Sequence, residues 1–123
     1  MRILGLDPSL SSTGWGIIEV ESNRMRYVAD GYIKTDAKMN IADRLAVIHN
    51  CLNEVLAAYR PDEAAIEQVF LNDNPTSTIK LGMARGVVIL APSLFGITVT
   101  EYEPNKIKKA VVGVGKAAKN QVE

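Results

Sequence analysis

An α/β domain, layered around a mixed sheet, is the fold class that this sequence predicts. Strand signals fill roughly its first third, a helical apolar period begins at Asn40, and strand and helix patterns alternate from there to the end. With 123 residues and 47% hydrophobic content, the chain has material for one core and not for two.

Each element follows from its residues. Ile3-Leu4-Gly5-Leu6 is apolar at successive positions, as in a strand covered on both faces. Trp15 to Val20 and Met25 to Ile33 are rich in aromatic and branched residues, with the turn residues Ser22-Asn23 between them, so the two runs form an antiparallel hairpin. Leu45, Ile48, Leu52, Val55, Leu56 and Tyr59 trace one helical stripe, opened by an Asn40–Asp43 start box and stopped at Arg60-Pro61. Ala64 to Val69 is a fourth covered strand. Beyond the loop Phe70 to Asn74, a helix starts with Asn74 as its cap and Pro75 at its first position, runs to about Leu90 and ends before Pro92. Ile97 to Tyr102 is the fifth strand, Pro104 to Val112 a short helix, Gly113 to Gly115 a break, and the final residues open another helix.

Composition narrows the function classes. No apolar stretch is long enough to cross a membrane, the chain opens on Met-Arg-Ile without a leader pattern, and the single Cys51 excludes a disulfide framework. Together these predict a cytoplasmic protein with no membrane partner and with Cys51 as a buried thiol. The net charge is zero, but Pro104 to Val122 carries Lys106, Lys108, Lys109, Lys116 and Lys119 and no acid. Such a stretch is either a solvated helix face or a surface for phosphates. His49, the single histidine, lies at the edge of the helical stripe with no Cys or second His nearby, and reads as structural.

The chemistry concentrates on two acids. Asp7 ends the first strand and Glu67 lies near the end of the fourth. In open α/β sheets, ligands gather beyond the carboxyl ends of the parallel strands, where the strand order reverses. The right-handed crossover rule lets the fourth strand pair beside the first. Neighbouring strands are about 4.8 Å apart, so the two carboxylates can share one cation or bracket a pair. Side by side they repel unless one is protonated or a metal lies between them. Hard divalent ions such as Mg²⁺ take carboxylate oxygens and complete their shell with water and phosphate. Two such ions about 3.5–4 Å apart would activate a water and stabilise the leaving oxygen of a phosphodiester. The plainer reading makes Asp7 a turn cap, because Asp-Pro-Ser bonds its own backbone. Glu67 weighs against that reading, since an acid in an apolar strand is costly without a partner.

Four blocks then stand together: Asp7-Pro8-Ser9 with Thr13-Gly14-Trp15-Gly16; Ala65 to Phe70; Lys80 to Gly86; and Val111 to Gly115 with Lys119 to Val122. In order and spacing they closely resemble the RuvC family of bacterial Holliday junction resolvases, over nearly the whole chain. The resemblance implies a ribonuclease H-like fold with a five-stranded mixed sheet in the order 3-2-1-4-5, flanked by helices. It implies a homodimer that resolves four-way junction DNA by paired symmetric nicks in recombination and repair. It further implies Mg²⁺ or Mn²⁺ as cofactor and the RuvA and RuvB branch-migration proteins as partners. Asp7 and Glu67 fall on two of the family's catalytic metal-binding acids, Lys108 and Lys119 on basic positions near the DNA, and Phe70 on an aromatic that contacts junction bases. A Phe just past a metal acid can stack on an unpaired base, or it can pack under the next helix. The helix holding Gly82 and Gly86 contributes to the family's dimer contact; packing on the protein's own sheet is the alternative.

The sequence departs from the family pattern in one consequential way. The remaining metal acids come from a later helix, in a His or Asp followed by an Ala-Asp-Ala-Leu-Ala context, and no such stretch precedes Glu123. The expectation is one nuclease domain over 1–123 without its C-terminal catalytic helix. Asp36, Asp73, Glu101 and Glu103 are spare carboxylates in unrelated contexts. Ser9 stands where the family often has glycine, Met83 where it often has glutamine, and Lys116 is an extra base. The alternatives are a catalytically incomplete junction-binding module and an actin-like or sugar-kinase-like nucleotide domain. The latter needs a second glycine-rich phosphate loop that this sequence lacks.

Overall fold

The computed structural model describes residues 1–68 and 74–103. Strands β1 (Arg2–Asp7), β2 (Ser12–Glu21) and β3 (Arg24–Lys34) come first, then helix α1 (Ile41–Tyr59), β4 (Glu63–Glu67), α2 (Pro75–Leu94) and β5 (Thr98–Tyr102). The five strands form one sheet in the order β3-β2-β1-β4-β5. β2 is antiparallel to both β1 and β3, and β4 is parallel to both β1 and β5. This is the ribonuclease H-like arrangement that the sequence predicts. The predicted helix over Pro104 to Val112 and the break over Gly113 to Gly115 lie outside the described residues.

Strand alternation divides the sheet into two faces. Leu4, Leu6, Ile17, Ile33, Ala64 and Ile66 pack into one core with Ile48, Leu52 and Leu56 of α1 and Ala84, Val88 and Ala91 of α2. Both helices therefore cover one face. Residues one position along each strand point the other way, and Asp7 and Glu67 are among them. That face is unusually small at its centre, with Gly5, Gly14, Gly16 and Ala65 in place of bulky side chains.

The helix ends follow local chemistry. The Asn40 side chain accepts from the Asp43 N–H at 2.8 Å, and Arg60 stops α1 in the left-handed region at φ 46, its N–H donating to Leu56 O at 2.9 Å. Asn74 caps α2 by accepting from the N–H groups of Thr76 and Ser77. α2 differs from expectation at its end, for it continues through Pro92 to Leu94. A proline there removes one backbone bond near the terminus, where few remain to lose, and its fully buried ring contributes to the core. Cys51 is also a correction: the free thiol is half-buried, at the margin of the α1 stripe rather than at its centre.

Candidate metal and nucleic-acid site

The register of the central strands brings the two predicted acids together. Leu6 pairs with Ile66 across the parallel β1–β4 ladder, and Asp7 and Glu67 are the next residue on each strand. Their side chains leave the same face, one strand spacing apart, about 4.8 Å. Asp7 is exposed and Glu67 half-buried. The ladders extend the row to both sides: Asp7 opposes Gly14, Gly14 opposes Tyr32, and Glu67 opposes Tyr102. A Cβ on Gly14 would lie 3.4 Å from a Tyr32 ring carbon and 3.6 Å from the Asp7 Cβ, ordinary contact distances, so the Tyr32 ring and the acid flank this glycine on one face.

Hydrogen bonds hold the backbone on either side of this pair. After Asp7, the turn is cross-tied by the Thr13 hydroxyl, which donates to Ser9 O at 2.6 Å and accepts from Ser9 N–H at 3.3 Å. Thr35 grips the same turn, its hydroxyl donating to Leu10 O at 2.5 Å and its N–H to Ser11 O at 3.1 Å. On β4, Arg85 of α2 donates to Glu67 O at 2.9 Å and pairs with Glu101 on β5. Gln68 N–H donates to Tyr102 O at 2.7 Å. The carboxylates thus project from pinned backbone.

The other predicted residues fall differently. Phe70, Lys108 and Lys119 lie outside the described residues, as does Asp73. Glu101 is held by Arg85, and Asp36 accepts from Lys38 N–H at 2.9 Å, so each has a local role. His49 is half-buried, its Nδ1 3.4 Å from Asn53 Nδ2, which fits its structural reading. Among the described residues no group of three or more His, Cys, Asp and Glu side chains could hold a metal ion. Asp7 and Glu67 form a pair there. Hard oxygen donors adjacent on rigid strand ends fit a divalent cation such as Mg²⁺. Tyr32 and Arg85 were not singled out from the sequence. Tyr32 alternates correctly within its strand but signals only an exposed aromatic, and Arg85 becomes visible only when α2 is laid over β4.

Residues 3–123 match the family model described as "Crossover junction endodeoxyribonuclease RuvC". This chain belongs to the RuvC family. The crossover junction endodeoxyribonuclease RuvC of Rhodospirillum rubrum is 57% identical over 122 residues, covering 99% of this chain and 72% of the relative. That of Paramagnetospirillum magneticum is 55% identical over 122 residues, covering 99% of this chain and 74% of its own. Among solved structures, T. thermophilus RuvC in complex with a Holliday junction substrate superposes with a TM-score of 0.81 at 30% identity, covering 92% of this chain and 69% of that one. Among the described residues, no helix is long and apolar enough to cross a membrane.

Proposed function

We infer that this chain is a metal-dependent, structure-specific endonuclease that resolves Holliday junctions by paired symmetric nicks. One observation carries the reading: in a RuvC-family chain, Asp7 and Glu67 end adjacent parallel strands and leave the same face. Two carboxylates so placed concentrate negative charge where a cation is favoured. When bound, Mg²⁺ or Mn²⁺ would supply charge stabilisation and water activation for phosphodiester hydrolysis. The protein's share is positional: Asp7 and Glu67 hold the ion, and the pinned turn and Arg85 keep the carboxylates in place. Phe70 stacks on an unpaired junction base, and Lys108 and Lys119 neutralise backbone phosphates. The acting species is a cytoplasmic homodimer that receives junctions from RuvA and RuvB. Residues 1–123 form one nuclease domain whose further metal acids belong to a helix C-terminal to it.

A second reading has its own support, since the described residues hold only two acids in the cluster. It makes the chain a junction-binding module without catalysis. The two are separated by measuring binding and nicking of a four-way junction in Mg²⁺, for this chain and for a chimera carrying the C-terminal remainder of the R. rubrum relative. The first reading expects the chimera to nick, and Asp7→Asn or Glu67→Gln in it to bind the junction normally while losing nicking by orders of magnitude. Nicking that survives both substitutions overturns the assignment. A chimera that binds and never nicks selects the module.

A further inference from the structure

Arg44 is the single buried charged residue among the described residues, 6% exposed. A buried cation ordinarily has a carboxylate beside it. Arg44 has none: among the described residues no acid lies within ion-pair distance of it. The adjacent Asp43 turns instead to Asn40, accepting from its side-chain amide at 2.9 Å, and Asp36 accepts a backbone N–H from Lys38. Arg44 also sits in the first turn of α1, where the helix macrodipole is itself positive, so the two fields add.

Its side-chain hydrogen bonds go only to hydroxyls. Nε donates to Thr35 Oγ1 at 2.9 Å and Nη2 donates to Ser11 Oγ at 3.2 Å. These use two of its five N–H donors and leave its charge uncompensated. Ser11 is exposed, in the β1–β2 turn four residues beyond Asp7. Its oxygen accepts from Arg44, its hydroxyl proton has no acceptor among the described residues, and a guanidinium behind a hydroxyl polarises that O–H into a stronger donor. An exposed donor backed by a buried, unpaired cation is complementary to an anion.

We propose that Ser11, backed by Arg44, is a contact for a backbone phosphate of the DNA strand that approaches the Asp7–Glu67 pair. The proposal rests on the nuclease reading of that pair. Arg44 then has two tasks, tying the turn to α1 and charging it, and the missing counter-ion is supplied by the substrate.

The test measures four-way junction affinity against salt concentration, without divalent ions, together with thermal unfolding, for the full chain and for Ser11→Ala and Ser11→Asp. Ser11→Ala should lower affinity roughly three- to tenfold with the log–log salt slope nearly kept, because the hydroxyl carries no charge, whereas Ser11→Asp, which neutralises Arg44, should reduce that slope by about one. Ser11→Asp should place a carboxylate beside Arg44, holding or raising the melting temperature while lowering affinity more than tenfold. Wild-type affinity in Ser11→Ala overturns the proposal and leaves Arg44 a structural tie, and an unchanged salt slope in a folded Ser11→Asp also overturns it. Should Ser11→Asp fail to fold, Ser11→Ala decides alone, since it removes one exposed hydroxyl. Asp7→Asn, assayed alongside, keeps the two readings apart. Nicking by Asp7→Asn in the chimera with the R. rubrum remainder unseats the metal-site reading, whereas an inert Ser11 beside a chimera that nicks and falls silent with Asp7→Asn unseats only the phosphate contact.

Discussion

The Arg85 guanidinium on α2 reaches across the layer to donate to the main-chain carbonyl of Glu67 at 2.9 Å, while its other arm pairs with Glu101 on β5. The last residue of β4 is thereby fixed from the helix side of the sheet, although its carboxylate leaves the opposite side. Arg85 acts on the site through the backbone, as a positioning residue.

Removing it should separate chemistry from binding. A carbonyl losing a charged donor forfeits about 1.5–3 kcal/mol, and a Glu67 free to shift loses its alignment with Asp7. In the chimera carrying the R. rubrum remainder, Arg85→Ala is expected to lower the single-turnover nicking rate by at least tenfold, with junction affinity changed less than twofold and a higher Mg²⁺ concentration needed for half-maximal rate. Glu101→Gln should do much less, because Glu101 is 51% exposed and contributes a screened pair. Equal loss from both variants would mean that the ion pair, not the Glu67 contact, is what matters.

A metal held between Asp7 and Glu67 should register as stability. Ligands that bind the folded state alone raise its unfolding temperature by mass action. Millimolar Mg²⁺ is expected to raise the melting temperature of the wild-type chain and to leave those of Asp7→Asn and Glu67→Gln unmoved, read by calorimetry with EDTA-treated protein as the baseline. A full Mg²⁺ response in either variant would place the ion elsewhere.

Much of this was legible in the residues, and the reason is periodicity. The run Ile3 to Leu6, the hairpin around Ser22-Asn23 and the stripe from Leu45 to Tyr59 each obey one local rule, so their type follows without tertiary information. The meeting of Asp7 with Glu67 followed from a topological rule about crossovers. Pro92 did not follow, because a buried ring near a helix end offsets the missing hydrogen bond only once the core around it exists. Arg85 and Arg44 were opaque for the same reason: each sits on a polar-looking helix position, and its partners are distant in sequence.

Gly31 offers a check on the packing beneath the site. A Cβ there would lie 2.9 Å from three atoms of the Trp15 indole, a contact that real structures do not sustain. Trp15 packs on the core and lies 5.8 Å, centroid to centroid, from the Tyr59 ring of α1, so shifting it disturbs that packing. Gly31→Ala should destabilise the fold by about 1–3 kcal/mol, seen in denaturant unfolding. A loss below about 0.5 kcal/mol would show that the indole moves freely.

The outer face of α2 carries the remaining prediction. Ile79, Met83, Leu90 and Leu94 are all exposed and recur at helical spacing along one stripe. Gly82 and Gly86 lie on the same stripe, and a Cβ on either would meet nothing within 4 Å, so a second backbone can approach closely there. α2 buries its opposite side, Ala84, Val88 and Ala91, against the sheet and α1, which leaves this stripe uncovered in the single chain, where the proposed homodimer would meet. Ile79→Asp and Leu90→Asp should each shift the protein from dimer to monomer in light scattering after size-exclusion chromatography, with the helical circular dichroism unchanged. Ile79 is 58% and Leu90 49% exposed in the single chain, so the exchange costs the fold little. Dimers that persist in both variants would place the interface away from α2, and a wild-type chain that is monomeric at tens of micromolar would remove the dimer from the proposed function.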